Sequence, residues 1–200
     1  MTAISDFCTT IRGWLNLGPD VYPDAVVTSW VRMAEEWMSE NLRVKHMVQI
    51  DWQDVIENRV LLPSDWEELD TVRFRGGGAL IYSPRDEFYA TKYYNKNRYT
   101  LIGNYIYLGT ADNISGTEVE ISYYQAIPPL GDDPNWVMKY MSRLYILCTC
   151  WHATMYAIED ERGEKWKNDV FTFTNDVNEK HKISKSSGSI LISRKKKGFG

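Results

Sequence analysis

The chain has 200 residues, 44% of them hydrophobic and 25% charged, enough for one domain with a real core and a region inserted into it. A net charge of −4 excludes a strong overall field toward nucleic acid or membrane. The charge is uneven: Lys180, Lys182, Lys185, Arg194, Lys195, Lys196 and Lys197 follow Glu179 with no carboxylate among them, and without these seven the 23 cations fall to 16 against 27 acids, or −11 on residues 1–179.

From Ile4 to Leu15 the apolar residues Ile4, Phe7, Cys8, Ile11, Trp14 and Leu15 keep helical spacing, and Gly18-Pro19 ends the run. Pro23 opens a second helix with Val27, Trp30, Ala34, Trp37 and Met38 on one face and Glu35, Glu36 and Glu40 on the other. The two form an αα-hairpin. After Asn41 the period changes, and alternation through Val44, His46, Val48 and Ile50 predicts a strand. Val60, Leu61 and Leu62 make a short apolar run that stops at Pro63. Ser64-Asp-Trp-Glu67 has the capping-box pattern and predicts one helical turn over Trp66 to Leu69.

Thr71 to Arg75 and Ala79 to Tyr82 read as strands joined across Gly76-Gly77-Gly78. Ser83 to Phe88 opens a helical turn reaching Tyr89, and the polar segment from Lys92 to Arg98 is a loop. Strands Tyr99–Ile102 and Tyr105–Leu108 pivot on Gly103-Asn104. A turn through Asp112 to Gly116 leads to the strand TEVEISYYQAI, which Pro128-Pro129 stops because proline has no N–H for the ladder. Asp133-Pro134 then starts a long apolar helix running to Ile158. Asp160 to Gly163 breaks it, and a last helix from Glu164 to about Lys182 carries Trp166, Val170, Phe173 and Val177. Lys185 to Gly200 reads as an arm without a core of its own.

These elements predict an α+β fold. An N-terminal helical hairpin (1–42) and two long C-terminal helices (131–184) form a helical bundle around an inserted antiparallel strand-rich region (43–130), and an extended basic arm (185–200) follows. Eight Trp and 13 Tyr exceed what one small core usually needs; they fit protein–protein contacts or a Trp-rich core.

Motifs for chemistry are weak. Cys148, Cys150 and His152 have a metal-like look, but on a helix only Cys148 and His152 share a face, too few ligands for zinc, and His46 and His181 lie on distant elements. No metal, cofactor or catalytic residue is assigned. Gly76-Gly77-Gly78 lacks the Lys-Ser/Thr of a phosphate loop. The acid pairs Glu67/Glu68, Asp132/Asp133 and Glu159/Asp160 fit cap, dipole and solvation roles, with a carboxylate pair for glycoside cleavage as the competing reading. Asn113-Ile-Ser115 matches a glycosylation sequon, without meaning in a chain lacking a secretion signal. Three cysteines, with Cys148 and Cys150 pointing to different sides of a helix, do not make a disulfide framework. The N-terminus has no signal-peptide pattern, and Lys139 and Arg143 interrupt the apolar helix, so no membrane span is expected. The expectation is a soluble intracellular protein.

LPSDWEELDTVRF at Leu62–Phe74, SPRDEF at Ser83–Phe88, YTLIGNYIYL at Tyr99–Leu108, and VEISYYQAIPPL with DDPNW at Val119–Trp136 together resemble the head-to-tail adaptor proteins of tailed phages, closest to the adaptor of short-tailed and some long-tailed phages. The resemblance runs from about Pro23 onward. It implies a structural virion protein, not an enzyme, made in the host cytoplasm. Such adaptors assemble as a ring of about twelve copies under the portal, extend the DNA channel without sequence-specific binding, and present a docking surface to a tail nozzle or other tail protein. The family's C-terminal tail embraces the portal, which maps here onto Lys185, Ile190, Leu191, Ile192, Arg194, Lys195, Lys196, Lys197 and Phe199. The alternatives are a tail-associated peptidoglycan-cleaving enzyme and a nucleic-acid-binding module that uses the basic tail.

Overall fold

The computed structural model describes residues 3–18, 21–90, 97–109, 116–156 and 160–197, with side chains from 184 onward and that of Tyr156 left aside. Most of the polar loop before Arg98, the turn at Asp112 to Ser115 with its sequon, Pro19, Glu159, the last residues of the long apolar helix and Phe199 therefore lie outside the described residues. The fold is mixed α+β, with six helices and two sheets among the described residues. The chain divides into two units, one of residues 1–46 with 127–200 and one of residues 47–126.

In the first unit, helix α1 (Ala3–Leu15) and helix α2 (Asp24–Asn41) form where apolar spacing predicts them. Arg12 ties the two together, donating to the Tyr22 carbonyl at 2.8 Å and to Asp24 at 2.6 Å. Trp14, expected on the buried face, is 43% exposed. The long apolar helix begins later than expected and in two pieces, α4 (Trp136–Tyr140) and α5 (Ser142–Tyr156). Asn135, not Asp133, is the N-cap, its side chain accepting from the Met138 N–H at 2.9 Å. Met141 leaves helical geometry at φ −137° and ψ 35°. Helix α5 packs against α1, α2, α4 and α6 (Gly163–Lys197). Leu144, Tyr145, Cys148, Thr149, Cys150 and Ala153 are all buried, as a helix apolar on every side requires.

A 3-10 turn at Lys45–Met47 leads into the second unit, so strand β1 spans Val48–Asp54 and His46 stands outside it. The turn after β1 places Glu57 and Asn58 at φ 52° and 60°, and Ile56 and Arg59 exchange backbone bonds of 3.0 Å across it. Two consecutive left-handed residues are the signature of the tight hairpin whose twist matches paired strands. Strand β2 (Arg59–Leu61) follows.

The segment read as a capping box is instead the start of strand β3 (Trp66–Phe74). Local pattern lost to tertiary pairing here. The Asp65 carbonyl accepts the Ala126 N–H at 2.8 Å, and its carboxylate accepts Gln125 at 2.5 Å and the Tyr123 hydroxyl at 3.2 Å, which locks the chain beside strand β7 (Glu118–Gln125). Burial, with Asp65 beside it, pushes the Tyr123 hydroxyl up to about 12.

Beyond Gly76 (φ 72°) the expected hairpin is reduced to a single bridge between Arg73 and Ala79. The chain then moves to the other sheet as β4 (Ile81–Tyr82), helix α3 (Arg85–Ala90), β5 (Arg98–Ile102) and β6 (Tyr105–Gly109). Strands β5 and β6 turn at Gly103, as read from sequence, where φ is 58°. The sheets run β1-β7-β3 and β2-β6-β5-β4. All pairings are antiparallel except β4 with β5, which is parallel and departs from the expected antiparallel region. Val60, Leu62, Tyr99, Ile106 and Leu108 from one sheet share a core with Val72, Val119, Ile121 and Tyr123 from the other.

Candidate interaction surfaces

The Pro128-Pro129 segment is held by polar groups of α2. Burying a non-helical stretch demands partners for its backbone groups; α2 supplies three of them and Asn135 donates to the Pro128 carbonyl at 2.9 Å. The Leu130 N–H donates to Glu35 Oε1 at 2.6 Å, Arg32 donates to the Leu130 carbonyl at 2.8 Å, and the Ile127 N–H donates to Ser39 Oγ at 2.9 Å. Arg32 also pairs with the second Glu35 oxygen at 2.7 Å, and the Tyr145 hydroxyl donates to Glu35. Desolvation first, and then the adjacent carboxylate, raise the Tyr145 pKa far above the ordinary phenol range. The carbonyls of Gly131 and Asp132 then accept the Ile4 and Ala3 N–H groups at 3.0 Å, satisfying the first turn of α1.

Glu35 thus corrects the helical reading of α2, which set it beside Glu36 and Glu40 on the solvent face. It is buried, as are Val31, Met38 and Leu42. These apolar residues at i−4, i+3 and i+7 are the signal that would have placed it inward.

Helix α6 departs furthest from expectation. It continues through Lys197, so residues expected as an extended arm are helical up to that point. Its packing begins at Gly163, where an added Cβ would lie 2.7 Å from Thr154 Oγ1 and 3.1 Å from Thr154 Cβ. Gly163→Ala is therefore expected to force α5 and α6 apart and cost about 1–3 kcal/mol, measured by urea unfolding, with Thr154→Gly restoring most of the loss. Phe171 meets Trp37 and Trp151 edge-on at 5.4 and 5.8 Å. Asn178 is an inward anchor of α6. It accepts the Arg43 N–H at 2.7 Å and donates to the Asn41 carbonyl at 2.8 Å, capping the end of α2. Lys182 and Ile183 beyond it are exposed, and residues 179–197 add roughly 28 Å of helix. Lys185, Ile190, Leu191, Ile192, Arg194, Lys195, Lys196 and Lys197 all fall on this stretch.

Other sequence candidates are dispersed. Cys148, Cys150 and His152 are buried in α5, and burial raises the thiol pKa of Cys148 and brings that of Cys150 to about 12. Among the described residues no group of His, Cys, Asp and Glu is placed to hold a metal ion, and no helix is long and apolar enough to cross a membrane. Glu67 and Glu68 lie at a register break of β3 rather than at a helix start. Asp160 is held by Arg162, whose hydrogen bonds lower its carboxyl pKa. The aromatic surplus divides between core and surface. Trp30 and Tyr145 are buried, whereas Ile50, Trp52, Ile56, Leu61 and Tyr105 leave an apolar surface along β1, β2 and β6, with Arg59 stacked over Tyr105 at 5.0 Å.

A family model described as SU10 adaptor protein matches residues 1–184. The match stops one residue before Lys185, where the arm read from the sequence begins. A search of curated proteins gave no match.

Proposed function

Because the chain belongs to the SU10 adaptor protein family, a phage head-to-tail adaptor family, we propose that it is a ring subunit that binds the portal and extends the DNA channel toward a tail protein. The structural adaptor role and a place in the virion come with the family. The ring, the portal contact and the tail docking surface are our reading.

One observation carries the portal contact. Helix α6 is anchored at Asn178 and continues to Lys197, over residues with no carboxylate after Glu179. A cationic helical end of this kind is suited to an acidic groove on a partner. The apolar surface along β1, β2 and β6 is the natural face for a tail protein or a neighbouring copy, since two different faces are what a heterologous ring needs.

The test is capture by the cognate portal. A chain truncated after Ser184 keeps the Asn178 cap and is expected to unfold at the same urea concentration as the full chain, while portal binding falls more than tenfold. Unchanged capture by the truncated chain would refute the arm's role. Electron microscopy of the full chain with its portal reads the ring directly.

A further inference from the structure

We propose that a basic aromatic patch at the break between α4 and α5 contacts the phosphate backbone of DNA, an inference that rests on the channel role given above. His46 stacks flat on Tyr140, with ring centroids 4.7 Å apart and 9° between planes, and lies 5.6 Å from Trp136 on its other neighbour at 21°. The stack fixes the 3-10 turn at Lys45 against α4. Lys45, Lys139 and Arg143 each stand within three residues of a stacked ring. All three are exposed, and Tyr140 is 66% exposed.

Arg12, Arg32, Arg59, Arg73, Arg75, Arg98 and Arg162 are all in ion pairs. Lys45, Lys139 and Arg143 have no ion-pair partner among the described residues. Arg85, Lys165 and Lys180 are also outside the ion pairs, but here three such cations stand close in sequence to one aromatic stack. Lys139 alone fits the negative end of the α4 dipole, but that does not account for Lys45 or Arg143. Along the chain, Asp132 and Asp133 precede α4 at its opposite end, and Glu40 stands five residues before Lys45.

Three uncommitted cations on a body of net −11 form a local site for a polyanion. In a ring that DNA threads, an interaction too weak to hold one copy is multiplied by the number of copies. The acidic remainder keeps the duplex from adhering elsewhere.

Fluorescence anisotropy of a labelled DNA duplex with the full chain tests this at low salt. The triple variant Lys45→Ala/Lys139→Ala/Arg143→Ala is expected to bind roughly tenfold more weakly. Its log affinity against log salt should flatten by roughly two to three units of slope, at about 0.9 for each phosphate that is no longer neutralised. The triple variant should unfold at the same urea concentration as the wild-type chain, which guards against misreading a folding defect, and Tyr140→Ala, which removes one ring of the stack but keeps all three cations, should weaken binding less than the triple variant. A comparator with Arg194, Lys195, Lys196 and Lys197 replaced by glutamine isolates the tail. Three results overturn the proposal: no binding by the wild-type chain, loss confined to the tail comparator, or equal binding of a polyglutamate peptide, which would assign the patch to an acidic protein. Portal capture by the triple variant is measured alongside. Retained capture with unchanged DNA affinity defeats this inference alone, whereas failure of the wild-type chain to bind its portal defeats the reading beneath it.

Discussion

Replacing Glu35 with alanine is expected to lower the unfolding free energy by about 3–5 kcal/mol. The carboxylate is 5% exposed as a residue and serves three donors at once: the Leu130 N–H, the Tyr145 hydroxyl and the Arg32 guanidinium. Truncation to alanine strands the first two in the interior, at about 1–3 kcal/mol each. It also leaves Arg32 with only the Leu130 carbonyl.

Glu35→Gln keeps an acceptor of the same shape for Leu130 and should cost about 1–2 kcal/mol, because it loses the charge but not the geometry. Urea unfolding of the two variants separates these contributions. If alanine costs less than about 1 kcal/mol, the carboxylate does not clamp the Pro-Pro segment, and that segment is held by the burial of Leu130 instead.

What sequence pattern reveals about this chain follows from the range of the forces involved. Helices α1 and α2 and the β5–β6 hairpin are local products of apolar period and turn residues, and they stand where the pattern puts them. Strand β3 does not, because its Ser-x-x-Glu start is a sound local cap that the long-range pairing with β7 outcompetes. The parallel β4–β5 pair has no local signal at all.

The site behaves in the same way. The cationic stretch after Glu179 is visible in composition, yet its helical state through Lys197 is not, since Ser186-Ser187-Gly188 is a poor helix former. Glu35, His46 and Asn178 escape a sequence reading because their roles depend on partners 88 or more residues away in sequence, as with Tyr145 at a separation of 110 and Arg43 to Asn178 at 135. A carboxylate beside two others on an amphipathic helix looks solvated until the segment it serves is folded against it.

Acid is expected to loosen the helical unit through His152. This side chain is 8% exposed, neither ring nitrogen has a hydrogen-bond partner among the described residues, and Trp151 lies against it at 4.8 Å. Burial disfavours the imidazolium, so the pKa is lowered from 6.5 in the folded chain. The sign follows directly. Below about pH 6.5 the unfolded chain binds a proton that the folded chain refuses, so unfolding is favoured progressively as pH falls toward the lowered folded value. Above pH 6.5 both states are neutral at this residue and the effect vanishes. The slope from one such group reaches at most about 1.4 kcal/mol per pH unit. His152→Phe keeps a ring of similar shape against Trp151 and removes the titration. Urea unfolding at pH 7.5 and at pH 5.5 should therefore show a loss of stability in the wild-type chain that is markedly smaller in the variant. Equal losses in both would mean that the acid sensitivity lies with the carboxylates, and that His152 finds a proton acceptor when it is charged.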